Sequence, residues 1–183
     1  LDTKSQIMAL KKFEPDLVWH GNTTMSVSAT IRDAYALDLG ADHIVNNWGF
    51  DENLPRLAGE AAEGVMWATP CAFYGQNYKN MDIVVASAKK YNPGVPQGKR
   101  LIRTVQAWGD ALVLWEAMKR ADKAGDLTGG GLVKALQSIK NFDVGGLMAP
   151  ITVVDNKIPM GRVFKANVSK KEFEPISDWI RTD

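Results

Sequence analysis

The hydrophobic pattern of the first part of the chain alternates between short apolar runs and longer helical segments. Three apolar runs of β-forming residues occur at residues 16–20, 43–47 and 64–69. Each run is continuous rather than alternating, which is typical of strands that are covered on both faces. Because helical patterns separate the runs, the order strand, helix, strand predicts right-handed crossovers and a parallel sheet in an α/β fold.

The predicted helices carry apolar residues three and four positions apart, and Pro or Gly follows several of them. The segment 101–121 is the longest, and its apolar arc is wider than a surface helix needs, so we expect it to be covered on more than one side. Helical segments are predicted at residues 7–12, 26–37, 80–91, 101–121 and 132–139.

The last part of the chain predicts further strands. Residues 151–154 form an apolar run that is closed by a turn at 155–157, and a strand at 162–168 precedes a polar, hairpin-like tail that ends in Trp179. Between the two parts, residues 93–98 are rich in Pro and Gly and are the best linker candidate.

The composition is that of an ordinary globular protein. The 183 residues include 45% hydrophobic and 23% charged side chains, which excludes wholesale disorder. The formal net charge is +1 without a basic block, which argues against nucleic acid as a partner. A single cysteine, Cys71, excludes an internal disulfide. The chain starts without Met or a signal region, so we expect it to begin inside a longer protein.

The signatures of catalysis and metal binding are missing from the sequence. No G-x-S-x-G motif occurs, and Cys71 has no histidine near it in sequence. His20 and His43 are too few for a zinc site, so a structural role is favoured for both. Residues 94–100 superficially resemble a phosphate-binding loop, but Arg100 stands where Ser or Thr must hold magnesium. The sequence therefore predicts no catalytic residue, no metal and no cofactor.

A small-molecule site is expected at the loops that follow the three predicted strands. In an open parallel sheet, ligands bind beyond the carboxyl ends of the strands. These loops supply hydroxyl, amide and aromatic side chains, which is the composition of a small-molecule pocket. The candidate ligand-binding residues are Asn22, Thr23, Thr24, Asn47, Trp48, Phe73 and Tyr74.

Each loop leaves two interpretations open. The amides at the start of the second helix, with hydroxyls of Thr23, Thr24 or Ser26, can accept a carboxylate. Alternatively, Thr24 or Ser26 simply caps that helix. Trp48 either stacks on a planar ligand or packs under its own loop. The third loop contains Phe73 and Tyr74. Aromatic residues in such a loop more often anchor the loop than contact a ligand.

The chain resembles the leucine/isoleucine/valine-binding protein family, the solute-binding components of ABC importers. The resemblance rests on segments that occur in the family's order, at residues 10–18, 21–31, 57–65, 108–121, 142–151 and 173–180. It implies the carboxyl-terminal half of a two-lobed type I periplasmic-binding-protein fold, a parallel-sheet three-layer sandwich that traps its ligand between the lobes.

The same resemblance implies how the lobes divide the chain. Residues 1–98, with 160–183 returning, would form the carboxyl-terminal lobe, and residues 99–159 would belong to the amino-terminal lobe. The chain would then cross between lobes near residues 97–98 and near Met160. Part of the packing for the wide apolar arc of 101–121 would come from outside this sequence.

The resemblance also bears on the ligand. In the family, the loop after the first strand contacts the ligand, which corresponds to Thr23 and its neighbours. In amino-acid binders the loop after the second strand supplies an acidic group for the ligand's ammonium. This sequence has residues 46–48, Asn-Asn-Trp, at that place, with Asp51 and Glu52 further along. An unpaired buried ammonium is costly, so an aromatic or aliphatic carboxylic acid, or an amide, is favoured over an amino acid.

The function that the resemblance implies is capture of such a ligand outside the cytoplasm. The protein would be periplasmic or lipid-anchored, and its partner would be an ABC transporter permease in the membrane. Two alternatives remain open from the sequence: a ligand-sensing regulatory domain of the same fold that binds small amides or acids, and an enzyme on a parallel α/β sheet. The absence of a nucleophile and base pair counts against the enzyme.

Overall fold

A computed structural model describes residues 1–153 and 159–181, and the chain divides into two compact units. The first unit contains Leu1–Thr69 and Arg162–Asp178, and the second contains Pro70–Gly161 and Trp179–Asp183. The boundary between these two units falls at Thr69, and the crossing between lobes near residues 97–98 stays a prediction. The linker candidate at residues 93–98 lies inside the second unit. There, Nη2 of Arg100 donates to the carbonyl oxygens of Ala88 and Val95, which holds this segment against the end of the preceding helix.

The first unit contains a mixed sheet with three parallel strands. Strands β1 (Leu17–His20), β2 (Asp42–Val45) and β3 (Met66–Thr69) run parallel, as predicted. Strands β4 (Met160–Asn167) and β5 (Glu172–Pro175) continue the sheet in antiparallel pairing, in the order β1-β2-β3-β4-β5. The predicted hairpin-like tail is thus confirmed. The first two residues of β4 lie in the second unit, where they pair with β6 (Ile180–Arg181).

Helices of the first unit pack apolar residues where the sequence pattern placed them. Helix α1 (Lys4–Lys11) buries Ile7, and α2 (Thr24–Ala36) buries its apolar positions at spacings of three and four, because those positions share one side of a helix. Ile7 forms one core cluster with Ala34 and Leu39. A short helix, α3 (Asn53–Ala58), continues into a 3-10 turn and was not predicted.

An aromatic group forms a second part of the core in the first unit. Trp67 on β3 is fully buried and stacks on Phe50, with 4.7 Å between ring centroids. Phe173 on β5 meets Phe50 edge to face at 5.2 Å. Because such pairs add to the free energy of burial, they fix the loop after β2 and the β5 strand onto the sheet.

The second unit is built around a long helix. Helix α5 (Ile102–Lys123) packs on α6 (Gly129–Gln137) and on α4 (Met81–Tyr91), so all three predicted helices are confirmed. The hydroxyl of Thr128 accepts a hydrogen bond from the Gly131 amide and caps the start of α6. Along α5, one row of apolar side chains is buried, but Leu114, Trp115 and Met118 are exposed.

The predicted strand at residues 151–154 is wrong for the part that the structure describes. Ile151 forms an isolated antiparallel bridge with Phe142, and the Val153 amide then donates to the carbonyl oxygen of Ile139. The pairing therefore ends after one bridge, and no ladder builds. Val154 and the predicted turn at 155–157 lie outside the described residues. Within the described ranges, no helix has the length and apolar character needed to cross a membrane.

Candidate functional site

The loops that follow β1 and β2 pack directly against each other, and Gly49 makes this possible. A Cβ atom at Gly49 would lie 2.4 Å from Cγ1 of Val45, 2.7 Å from the carbonyl oxygen of Asn22 and 2.9 Å from Cγ2 of Val27. All three distances are shorter than real Cβ contacts. Only glycine therefore allows the backbone of the second loop to lie this close to the first.

A buried carboxylate joins the same two loops. The Thr24 hydroxyl, at the start of α2, donates to Oδ2 of Asp51 at 3.1 Å and also lies 3.4 Å from the carbonyl oxygen of Trp48. The other oxygen of Asp51 accepts from the Asn53 amide at 2.8 Å and so initiates α3. Asp51 is 7% exposed. Oδ2 thus holds the start of α2 against the loop after β2, while Oδ1 fixes the start of α3.

The end of β3 is tied to this pair of loops by a side-chain hydrogen bond. Oδ1 of Asn47 accepts from the hydroxyl of Thr69, the last residue of β3, at 2.9 Å. The carboxyl ends of β1, β2 and β3 are therefore linked in order along one edge of the sheet. Within the first unit, this confirms the expected convergence of the strand ends, which rests on the general geometry of parallel sheets.

Trp48 projects from a tight turn. Oδ1 of Asn46 accepts from the amides of Trp48 and Gly49, at 3.1 and 2.7 Å, which closes an Asx turn. The Trp48 side chain is 63% exposed. Part of its aromatic surface is therefore accessible at this edge, and a stacking role for Trp48 stays a prediction.

The start of α2 is arranged differently from the capping alternative. Thr23, not Thr24 or Ser26, is the N-cap residue, and within the described residues its side chain makes no capping hydrogen bond. The neighbouring Asn22 accepts from the Thr23 amide at 2.8 Å, and both side chains are exposed. The first amides of a helix have no partner inside it, and such amides are suited to bind an anion; that role of the start of α2 stays a prediction.

The two aromatic candidates of the third loop belong to the second unit. Phe73 is buried, and its amide donates to Oε1 of Gln76 at 2.8 Å. The Tyr74 hydroxyl donates to the side-chain oxygen of Gln97, and burial raises the pKa of Tyr74. A ligand-binding role for both residues stays a prediction.

His20 and His43 form a pair in the first unit. Nε2 of His20 lies 2.8 Å from Nδ1 of His43. Burial, and then the neighbouring His43, lower the pKa of His20 to about 4, and burial lowers the pKa of His43 as well. Both imidazoles are therefore neutral at neutral pH, which fits the structural role. No group of three or more His, Cys, Asp or Glu side chains in the described parts of the chain is placed to hold a metal.

A cavity of about 460 Å³ lies elsewhere in the first unit, between the start of α3 and the β4–β5 hairpin. Pro55, Arg56, Lys171 and Phe173 are among the residues that line it, and none of the seven candidate residues does so.

Sequence reasoning missed Gly49, Asp51 and Thr69 as organising residues of this edge. The start of α3 could have been predicted from residues 51–55. Asp51 lies two residues before the first helical residue and Pro55 lies in the first turn, which is typical of a helix start. The close approach at Gly49 and the Thr69 hydrogen bond are long-range contacts, which no local pattern indicates.

The chain belongs to the periplasmic binding protein family, since the family's model matches residues 1–171. Its fold is similar to that of a branched chain amino acid ABC transporter from Thermus thermophilus with bound valine, at a TM-score of 0.83 and 20% identity, covering 100% of this chain and 50% of that one. A substrate binding protein of an ABC transporter from Aeropyrum pernix gives a TM-score of 0.80 at 24% identity, covering 98% and 48%.

A third similar structure is a solute binding protein of an ABC transporter from R. palustris in complex with benzoate, with a TM-score of 0.68, 16% identity and coverage of 99% and 48%. A comparison with curated proteins found no significant match. The chain thus spans about half the length of these structures, which confirms the predicted half of a type I fold. The family and these neighbours are solute-binding proteins, which confirms the choice of a binding protein over an enzyme.

Proposed function

We propose that this chain supplies one side of the ligand site in an extracytoplasmic solute-binding protein of an ABC importer, and that the ligand is a small carboxylic acid or amide. One observation carries the proposal: the start of α2 and the exposed Trp48 are held at the same sheet edge by the hydrogen bond between Thr24 and Asp51. This edge offers amides for a negative or polar group and a flat surface for an apolar group.

The helix start supports recognition of a carboxylate or an amide oxygen. The first-turn amides of α2 carry a partial positive charge, and a helix of 13 residues has a full dipole. The exposed side chains of Asn22 and Thr23 flank these amides and add a hydroxyl and an amide. Such a group of donors stabilises an anion at low desolvation cost.

The loop after β2 supports a ligand without an ammonium group. Asp51 is the acidic residue that follows Trp48 most closely, and hydrogen bonds from Thr24 and Asn53 occupy its two oxygens. A ligand ammonium at this edge would have to share Asp51 with these two donors, which weakens its pairing and makes its burial more costly. Valine and benzoate occur in two of the similar structures. The Asn47 and Trp48 loop of this chain favours the second kind of ligand, an aromatic acid.

The lobe assignment implied by the resemblance, residues 1–98 with 160–183 and residues 99–159, stays a proposal. The two compact units support a second assignment, in which the first unit comes from the carboxyl-terminal lobe, the second from the amino-terminal lobe, and the crossing lies at Thr69. Phe73 and Tyr74 would then follow the crossing directly. In such a protein the ligand is held by closure of two lobes, and a membrane permease is the partner.

Saturation-transfer NMR on the 183-residue chain tests the ligand class, with benzoate, benzamide and leucine as probes. We expect saturation of benzoate and benzamide above that of leucine, and a loss of the effect in Trp48→Ala. Trp115→Ala is the matched control, because Trp115 is also exposed but lies on α5 of the second unit. Stronger saturation of leucine would overturn the ligand preference. A nanomolar affinity of this chain alone would contradict the need for a second lobe.

A further inference from the structure

The cavity beside α3 is lined by residues of the first unit alone. It lies between the start of α3 and the β4–β5 hairpin, and its volume is about 460 Å³. Pockets for small molecules occupy about 300–1,000 Å³, so the cavity is large enough for a ligand. Since the candidate residues at the strand ends do not line it, such a ligand would bind at a different place from the sheet edge described above.

One wall of the cavity is apolar and firmly held. Phe173 on β5 is the register neighbour of Ala166 on β4, and both line the cavity together with Pro55 and Val168. The ring of Phe173 meets Phe50 edge to face at 5.2 Å. Because this contact fixes the Phe173 ring, the wall is preorganised for the apolar part of a ligand.

Lys171 has a backbone conformation that lysine rarely adopts. It lies in the turn between β4 and β5, its φ is 57°, and its amide donates to the carbonyl oxygen of Val168 at 3.2 Å. Glycine or asparagine usually occupies such a left-handed position, because a larger side chain is strained there. The geometry of the turn therefore does not favour lysine, and the contribution of Lys171 lies in its side chain, which lines the cavity.

The two lysines of this turn make different interactions. Nζ of Lys170 lies 3.0 Å from Oε1 of Glu174 in a salt bridge, and Lys170 is not a lining residue. Lys171 and the adjacent Glu172 are exposed and line the cavity. Neither of these two side chains forms an ion pair or a hydrogen bond within residues 1–153 and 159–181. One positive and one negative charge on the hairpin side are thus available to a ligand.

The α3 side of the cavity repeats this combination of charges. Glu52 and Arg56 are one helical turn apart, and both line the cavity. Nη1 of Arg56 donates to Oδ1 of Asn53 at 3.2 Å, which restrains the guanidinium. Each side of the cavity therefore carries one acidic and one basic group. A ligand with a single charge would be attracted by one group and repelled by its neighbour, whereas a ligand with both charges can be paired with both.

We propose that this cavity is a second binding site, which takes a zwitterion with an apolar body of dipeptide size. The carboxylate of the ligand pairs with Lys171, its ammonium pairs with Glu172, and its apolar body lies against Phe173. A dipeptide of apolar residues carries all three groups. Benzoate lacks the ammonium, and leucine has a smaller apolar body, so both are poorer ligands for this cavity.

Amide chemical shifts of the ¹⁵N-labelled chain, titrated with leucyl-phenylalanine, test the proposal. We expect the largest shifts at the amides of Val168, Lys171 and Phe173. The N-acetyl dipeptide lacks the ammonium and the dipeptide amide lacks the carboxylate, so each should bind about tenfold more weakly. Leucine should also bind about tenfold more weakly, because it does not bury a phenyl ring. Equal affinity of the dipeptide and its N-acetyl form, or largest shifts away from the cavity, would overturn the proposal.

Lys171→Gly separates binding from folding. Glycine suits a φ of 57°, so the melting temperature should not decrease, whereas the affinity for leucyl-phenylalanine should fall about tenfold. Lys170→Ala is the matched control, because it removes the same charge from the same turn at a residue that does not line the cavity, and it should keep the affinity. Glu172→Gln should weaken binding of the dipeptide but not of its N-acetyl form. Unchanged dipeptide affinity in Lys171→Gly would overturn the proposal.

The same titrations distinguish this site from the one proposed at the strand ends. The dipeptide shifts at Lys171 and Phe173 should persist in excess benzoate, since the start of α2 does not line the cavity. Displacement of the dipeptide by benzoate would contradict a separate site. Lys171→Gly should leave any benzoate shifts at the start of α2 unchanged, so either proposal can fail without the other.

Discussion

Substitution of Gly49 by alanine tests whether the loops after β1 and β2 depend on a close backbone approach. The added Cβ would meet Cγ1 of Val45 at 2.4 Å and the carbonyl oxygen of Asn22 at 2.7 Å. A side-chain methyl can rotate away, but a backbone oxygen cannot, so the first loop has to shift. Overpacking of this kind costs about 1–3 kcal/mol of the free energy of unfolding.

Gly21→Ala is the matched control for this prediction. Gly21 lies in the same loop region, nothing would come within 4 Å of its added Cβ, and its φ lies outside the left-handed range. Alanine at such a position is neutral or stabilises by up to about 1 kcal/mol, because it restricts the unfolded chain. The pair of variants thus separates the clash from the general effect of replacing glycine.

Urea denaturation and thermal melting, both followed by far-ultraviolet circular dichroism, measure the free energy of unfolding and the melting temperature of both variants. For a chain of this size, a loss of 2 kcal/mol corresponds to a decrease of about 4–8 °C in melting temperature. We expect Gly49→Ala to show this decrease and Gly21→Ala to show none. A free energy of unfolding for Gly49→Ala within about 0.5 kcal/mol of that for Gly21→Ala would refute the packing of the two loops.

Three further predictions concern buried polar groups. The folded-state pKa of His20, beside His43, is about 4 against an ordinary 6.5, so the unfolded chain binds the proton more tightly. The free energy of unfolding should therefore be at its full value above pH 6.5 and fall by up to about 3 kcal/mol as the pH decreases towards 4. A pH series of urea midpoints without this slope would contradict the prediction. Thr24→Val and Asp51→Ala should each lower the free energy of unfolding by about 1–3 kcal/mol, because each removes one partner of a buried hydrogen bond. A double-mutant cycle should give a coupling free energy above about 0.5 kcal/mol, and additive effects would count against this hydrogen bond. Arg100→Met removes the hydrogen bonds to the carbonyl oxygens of Ala88 and Val95, so it should lower the free energy of unfolding by about 1–3 kcal/mol. It should also speed amide hydrogen exchange at the end of α4, and unchanged exchange at that end would contradict the prediction.

Local patterns in the sequence were sufficient for most helices and strands. The three apolar runs became β1, β2 and β3, and the spacing of Val27 and Ile31 placed α2, because burial on one side of a helix leaves a periodic trace. Residues 151–154 mislead because an apolar run does not specify a strand partner. Ile151 finds one in Phe142, and the chain then turns towards the end of α6.

The common position of the two loops was predictable from the sequence, whereas the hydrogen bonds that join them were not, and their role in ligand binding stays a prediction. The rule for parallel sheets selected the loops of Thr23 and Asn47, and both lie at the same edge. The pairing of Thr24 with Asp51 joins residues 27 positions apart, so its existence depends on the folded backbone.

The central claim is that the start of α2 and the Trp48 turn bind a small carboxylate. Titration of the ¹⁵N-labelled chain with benzoate, followed by amide chemical shifts, tests it most directly. We predict the largest shifts at the amides of Thr24 and Met25 and at the Trp48 indole, with no comparable shift when benzyl alcohol replaces benzoate. Largest shifts instead at Arg56 and Phe173, which line the cavity beside α3, or no shift at the α2 start, would contradict the claim.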